Sequence, residues 1–242
     1  MKHQLSWILQ SAVKEIGFKP LYSDSCVHVQ RSGGDNSDGL EIITILVDDL
    51  LLFTSLDILM TNLKSKLNSM FELTDMGELS KIIGIKITQS ENLITISQTK
   101  YIETILKNHN MEYSNPVKTP LDLNIKLEKN PEGINGNWNN SFALLISSSQ
   151  YLATETQPDI AFAVNRLAVY MANPSMMHWT ATKCILCYLA STNKYGIAYY
   201  ASETNSIDEN LAHGYADAAF ANNENSHSTT GYVFKSFSGA IT

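Results

Sequence analysis

Arginine is nearly absent from this 242-residue chain. Only Arg31 and Arg166 accompany fifteen lysines, and acidic residues outnumber basic ones to leave a formal net charge of −7. A protein that grips a phosphate backbone ordinarily carries a basic surface, so the overall charge argues against strong nonspecific nucleic-acid binding. Cysteine is scarce as well: Cys26, Cys184 and Cys187 are too few for a disulfide framework and suit a reducing compartment. No apolar run approaches the roughly 18 residues of a membrane span. The first residues, MKHQLSWILQSAVKEIG, lack the uninterrupted apolar core and small-residue cleavage site of a signal peptide. These absences set a default expectation of an intracellular, cytoplasmic chain. With 44% hydrophobic and 17% charged residues the chain is globular, and it can bury one sizeable core or two smaller ones.

What is present is a clear alternation of periods. Leu5, Ile8, Leu9, Ala12, Val13 and Ile16 recur at helical spacing over residues 4–16, with Gly17 as the stop. CVHVQ at 26–30 alternates like a half-buried strand, SGGDNSDG at 32–39 is turn chemistry, and LEIITILV is a second strand. LLLF returns as a third strand, and Ser55 or Asp57 is placed to cap a helix through Phe71 with an apolar stripe of Leu59, Leu63, Leu67 and Met70. KIIGIKITQSENLITIS reads as a hairpin turning at QSEN, followed by a helix in QTKYIETILKNHN and an extended VKTPL. Residues 122–141, rich in Asn, Gly and Pro, read as a linker. Helical patterns at 142–154, 158–171 and 175–190 have apolar stripes too broad to face water, and Leu152, Phe162 and Leu186 are expected inside a shared core. From GIAYY onward the pattern is strand-like. Strands, then helices, then strands predict an α+β chain with boundaries near 122–141 and 201–210.

The stretch ITILVDDLLLF sets Asp48 and Asp49 side by side between two apolar runs. Two unit charges about 4 Å apart repel by roughly 4 kcal/mol near a protein surface, so water, a basic partner or a cation must offset them. The doublet is predicted at the turn of an antiparallel hairpin formed by residues 41–47 and 50–54. A solvated turn is the bland reading of such a pair. Two carboxylates on a rigid turn also suit Mg²⁺, which prefers hard oxygen ligands, and paired ions of this kind assist phosphoryl transfer. Cys184 and Cys187 form a C-x-x-C at helical spacing, with no second Cys pair to complete a zinc site, and read as packed or surface thiols. His178 and Trp179 read as packing near a helix start. Asn139-Asn140-Ser141 matches a glycosylation pattern that carries no weight without a secretory signal. Tyr215 and Phe220 could stack on bases, with edge-strand packing the commoner role.

The surroundings of the doublet resemble copia-type retrotransposon Pol polyproteins in collinear order over nearly the whole chain. The hairpin bearing Val47-Asp48-Asp49 resembles the catalytic hairpin of reverse transcriptases. FELTDMGELSKIIGIKI is similar to the segment leading into the primer-grip hairpin, and ISQTKYIETILKNHNMEYSNPVKTPL to the one after it. QYLATETQPDIAFAVNRLAVYMANPSMMHWTATKCILCYLAST resembles the helical region joining polymerase to RNase H, and GYADAAFANNENSHSTTGYVFKSFSGAIT the opening of RNase H.

The resemblance implies a partial reverse-transcriptase palm and primer-grip region over 1–121, a linker and helical thumb or connection region over 122–205, and the first strands of an RNase H-like domain over 206–242. It assigns Asp48, Asp49 and Asp217 as catalytic, metal-binding acids, Gly84, Ile85 and Lys86 as nucleic-acid-binding, Mg²⁺ as cofactor, and an RNA template with a DNA primer or hybrid as partners. HGYADAAFA and STTGYVFKSF should then be paired antiparallel strands presenting Asp217. There are departures. Leu46 replaces the usual Tyr before Val-Asp-Asp, and Asp217-Ala218-Ala219-Phe220 replaces the usual Asp-Ala-Asp-Trp. Two positions that are often basic in the family are Cys184 and Cys187. By resemblance, a third polymerase aspartate and the fingers would precede Met1, and the remaining RNase H acids would follow Thr242. The expectation is a reverse-transcriptase fragment inactive alone, against the alternative of a retained nucleic-acid- or protein-binding remnant without chemistry.

Overall fold

A computed structural model describes residues 2–32, 39–122, 124–130, 139–201, 212–219 and 228–241, with only the backbone of 2–6, 32 and 139. Its contacts group into two units, Met1–Leu79 and Ser80–Thr242, each with its own apolar cluster. The expected turn stretch 33–38, most of the 131–141 segment, and Phe220 lie outside the described residues.

In the first unit, α1 (Lys2–Glu15) ends where Gly17 turns left-handed at φ 103°. Strands β1 (Lys19–Pro20), β2 (Val27–Ser32), β3 (Gly39–Leu46) and β4 (Asp49–Thr54) form an antiparallel sheet in sequence order. Odd-numbered positions of β3 point inward, which is what a period of two requires of a strand with one covered face. Ile43 and Ile45 meet Leu9, Val13 and Phe18 from the α1 region and Leu63 and Leu67 from α2 (Asp57–Met70). The α2 stripe is narrower than the spacing predicts, since Met70 is exposed. Neither Ser55 nor Asp57 caps α2. The N-cap position falls on Leu56, with no side-chain bond. Ser55 instead prolongs the strand pairing, its amide donating to the Leu40 carbonyl at 2.9 Å and its hydroxyl accepting from the Leu40 amide at 3.0 Å.

In the second unit, β5 (Lys81–Ile82), β6 (Ile85–Ser90), β7 (Leu93–Ser97) and β8 (Ile197–Tyr200) form a second antiparallel sheet. Between β7 and β8 run α3 (Thr99–Asn108), α4 (Asn139–Glu155), a 3₁₀ turn at Pro158–Ile160, α5 (Ala161–Ala168) and α6 (Met176–Thr192). A third sheet, β9 (His213–Ala219), β10 (Thr229–Ser236) and β11 (Gly239–Ala240), has the order β11-β10-β9. The four helices share one core. Ile102 and Leu106 of α3 meet Phe142, Leu145 and Leu152 of α4, Val164 and Leu167 of α5, and Ile185, Leu186 and Leu189 of α6. Leu152 and Leu186 are buried as expected, but Phe162 is 45% exposed. No helix of the described residues is long and apolar enough to cross a membrane.

The segment read as a linker is docked over its described part. Leu121 and Leu127 join the helical core, and the Tyr170 hydroxyl donates to the Leu127 carbonyl at 2.6 Å. Asn130 and Asn173 exchange hydrogen bonds, and Asn130 also donates to the Pro174 carbonyl at 3.0 Å. Leu127→Ala is therefore expected to destabilise the second unit by about 2–5 kcal/mol in urea unfolding, while Leu144→Ala, at an exposed position of α4, changes it by less than about 0.5 kcal/mol.

His178 is buried at the start of α6. Its Nδ1 accepts the Ser175 amide at 2.8 Å, and its ring stacks on Tyr170 with centroids 4.0 Å apart. Burial holds the imidazole below its usual 6.5, and a backbone bond to Glu128 opposes this more weakly. Burial lowers His109 in the same way. The unfolded chain therefore binds more protons than the folded one just below 6.5. Stability is full above that value and falls as pH drops through it toward the folded-state values. Unfolding midpoints measured from about pH 7 down to about pH 5 should decline, and His178→Gln should flatten but not abolish the decline.

Candidate active site

The β3–β4 hairpin reverses in two residues, because Leu46 pairs directly with Asp49. Val47 and Asp48 form the turn, and Val47 takes φ 56°. A left-handed first turn residue is the arrangement that lets a two-residue turn follow the twist of its strands, and glycine is its usual occupant. In a β-branched residue it costs on the order of 1–3 kcal/mol. The doublet thus straddles the boundary: Asp48 stands in the turn and Asp49 opens β4. Both carboxylates are exposed. Leu46 stands directly across the ladder from Asp49.

Two adjacent exposed carboxylates are a fitting donor pair for a hard divalent cation. They are too few for a two-ion site, and among the described residues no group of three or more His, Cys, Asp or Glu side chains is gathered to hold a metal. Lys64 of α2 and Asp75 beyond it pair at 2.9 Å, and Asp75 also accepts the Gly77 amide at 2.9 Å. The Lys64 bond, then the amide, holds the Asp75 carboxyl below the ordinary range. The segment FELTDMG is pinned by these contacts.

Gly84, Ile85 and Lys86 belong to the second unit. Ile82 pairs with Ile85 across a turn in which Ile83 has φ 47° and Gly84 φ 79°, both left-handed, the type I′ pattern. The next pair outward sets Lys81 directly opposite Lys86, both exposed. Like charges facing each other in a ladder are unfavourable by roughly 0.2–1 kcal/mol, and an anion between them reverses the sign. Sequence reasoning missed Lys81. The signal was available, since placing a two-residue turn on Ile83-Gly84 makes residues 81 and 86 partners.

Asp217 sits on β9 opposite Gly231, and its carboxylate accepts the Ala218 amide at 2.9 Å. The strands 213–219 and 229–236 pair antiparallel as expected, and Tyr215, on the same face as Asp217, is 62% exposed. His178 and Trp179 serve packing: the Trp179 ring lies under the Lys183 ammonium at 5.3 Å and edge-on to His109. Cys184 and Cys187 are free thiols. Burial, then the neighbouring Cys187 and Asp122, pushes the Cys184 thiol up, which is the opposite of an activated nucleophile.

The strained Val47 yields a direct test. Val47→Gly removes the steric cost and adds a smaller backbone-entropy cost, so chemical denaturation should show the first unit stabilised by about 0.5–1 kcal/mol. A loss of stability would show that Val47 is not held in this conformation.

Residues 4–123 match the family described as reverse transcriptase (RNA-dependent DNA polymerase). The chain is 33% identical over 96% of its length to the retrovirus-related Pol polyprotein from transposon TNT 1-94 of Nicotiana tabacum. Over 93% of its length it is 32% and 30% identical to the Pol polyproteins from transposons RE1 and RE2 of Arabidopsis thaliana. It spans 17% of the first and 15% of each of the other two. No solved structure matches. The hairpin with its acidic doublet lies inside the matched region, and the chain belongs to the copia-type retrotransposon Pol family, with its reverse-transcriptase match over residues 4–123.

Proposed function

We propose that this chain is the part of a copia-type RNA-directed DNA polymerase that presents the catalytic carboxylates and grips the primer, and that it performs no chemistry alone. The observation that carries this reading is the placement of Asp48 and Asp49, both exposed, at a two-residue turn whose first residue is held in a strained conformation. Such strain persists only where the surroundings enforce it, and it gathers at functional turns.

In this reading residues 1–121 are palm and primer-grip region, 122–205 linker and thumb or connection region, and 206–242 the opening of an RNase H-like domain. The division follows ancestry; the contacts group everything from Ser80 onward together. Reverse transcriptases generally use Mg²⁺. Asp48 and Asp49 would hold it, and when bound it supplies charge neutralisation at phosphoryl oxygens. The chain's own share is to offer two carboxylates from a rigid reversal. Leu46, in the place of an aromatic ring, weakens the contact to an incoming nucleotide. Gly84, Ile85 and Lys86, with Lys81, would seat the backbone of a DNA primer on its RNA template, where a phosphate relieves the opposed lysines. Asp217 would be the first acid of the RNase H-like site. The opposed lysines equally support a binding remnant without chemistry, which predicts the same affinity for nucleic acid but none for Mg²⁺.

The test uses the purified chain. Mg²⁺ titration should show roughly millimolar binding, lost in Asp48→Asn with Asp49→Asn. Primer extension on RNA and cleavage of an RNA·DNA hybrid should stay at background. Extension abolished by Asp48→Ala, or hybrid cleavage abolished by Asp217→Asn, would overturn the claim that the chain does no chemistry alone, and absence of Mg²⁺ binding would favour the remnant.

A further inference from the structure

The tip of the β5–β6 hairpin is tied to a helix 68 residues further along. The Tyr151 hydroxyl, on α4, donates to the Ile83 carbonyl at 2.5 Å. Tyr151 is itself half-buried, with the Tyr101 ring of α3 edge-on at 5.5 Å and 84°. Burial, then Glu155 and Tyr101, pushes its phenol above the usual value, so it stays protonated and able to donate.

The accepting atom is the informative one. The Ile83 carbonyl belongs to the peptide joining the two central residues of the turn. Rotating that peptide by about 180° converts a type I′ turn into a type II′ turn, and both suit a two-residue hairpin. Gly84 tolerates either, because it pays no steric cost at positive φ. Ile83 at φ 47° itself favours the type I′ form, because the first position of a type II′ turn is one that glycine fills. The bond from Tyr151 adds a hold from α4 on the peptide orientation that the turn residues favour, and ties the tip of the hairpin to the helix. In a trans peptide the carbonyl and the amide hydrogen point in opposite directions. With its carbonyl facing α4, the peptide turns the Gly84 N–H away from the helix, where it has no hydrogen-bond partner among the described residues. That donor sits in the turn, one residue pair beyond Lys81 and Lys86.

We infer that Tyr151 is a positioning residue for the nucleic-acid-binding hairpin: it fixes the Ile83–Gly84 peptide so that the Gly84 N–H is offered to a phosphate oxygen of the bound strand. The inference rests on the reading of this hairpin as a primer-binding element. It adds a neutral donor, held from a distance, to the two lysines.

The two ideas separate experimentally. Binding of the full chain to a fluorescent DNA primer annealed to RNA is measured by anisotropy across a salt series, alongside the Gly84 amide signal in a ¹⁵N–¹H spectrum. In Tyr151→Phe, which keeps the ring and its packing, affinity should fall roughly tenfold with an unchanged salt slope, because a neutral contact releases no counterion. The Gly84 signal should move in the free variant. In Lys81→Ala with Lys86→Ala, affinity should fall and the slope should shrink by about two. In the unaltered chain, which needs no variant to fold, the Gly84 amide should shift downfield on adding the duplex. If the lysine variant weakens binding while Tyr151→Phe moves neither affinity nor the Gly84 signal, Tyr151 is a structural tether only and the inference is overturned. If the lysine variant binds unchanged, the primer-binding reading itself fails and the inference with it.

Discussion

Antiparallel strands joined by only two residues demand a left-handed backbone at the first of them, and both candidate functional hairpins of this chain meet that demand with a β-branched side chain. Val47 and Ile83 sit at φ 56° and 47°. Neither residue would choose this conformation in isolation. The strands on either side impose it, and the imposition decides where the acidic doublet and the lysine pair stand. At the first hairpin the reversal leaves Asp48 outside the ladder and Asp49 inside it. At the second it puts Lys81 and Lys86 face to face. Both pairings gather like charge at one place, which is tolerable where a counter-charge arrives from elsewhere.

This local arrangement reconciles the acidity of the whole with the nucleic-acid role proposed for it. A formal charge of −7 describes the sum and not the distribution. Two lysines opposed on one hairpin, and two carboxylates on another, define small regions of opposite sign. In the proposed function each such region serves a local contact, while the broad electrostatic attraction of a self-sufficient duplex binder needs a larger basic surface. A segment that makes up about a sixth of its relatives' length can leave that attraction to other parts of the polyprotein.

The β3–β4 and β6–β7 hairpins were legible because polar residues interrupt an apolar alternation there, whereas the β5–β6 turn falls on Ile83-Gly84 inside an apolar run and was not. What stayed hidden depended on distant partners. Ser55 has the chemistry of a helix cap, but a backbone partner at Leu40 was closer to hand and drew it into the ladder. Leu127 lies in a polar stretch whose composition signals a linker, and only the cleft beneath it shows that it is core. Phe162 fits the helical spacing, yet α5 is eight residues long and shows one narrow face to its neighbours, with Val164 and Leu167 on it. The pairing of β8 could not be foreseen at all, since IAYY carries no mark of the strand it will join. The role proposed for the doublet rests on its neighbours in sequence, because spacing alone does not separate a solvated turn from a metal seat.

The pairing of β7 with β8 also governs the order in which the molecule can be made. Ile96 meets Ile197, and Leu93 meets Tyr200, across a loop of roughly 100 residues that contains all four core helices of the second unit. Closing a loop of this length is slow relative to helix formation, so the helices form first and the sheet is completed around them. During synthesis from the N-terminus, β7 emerges long before its partner and waits with one edge unpaired. An open edge of LITIS is a template for any extended chain nearby. The helices thus act as the timer of the sheet: until Tyr200 has been made and has docked, the β5–β6 hairpin hangs from a sheet that lacks its last strand.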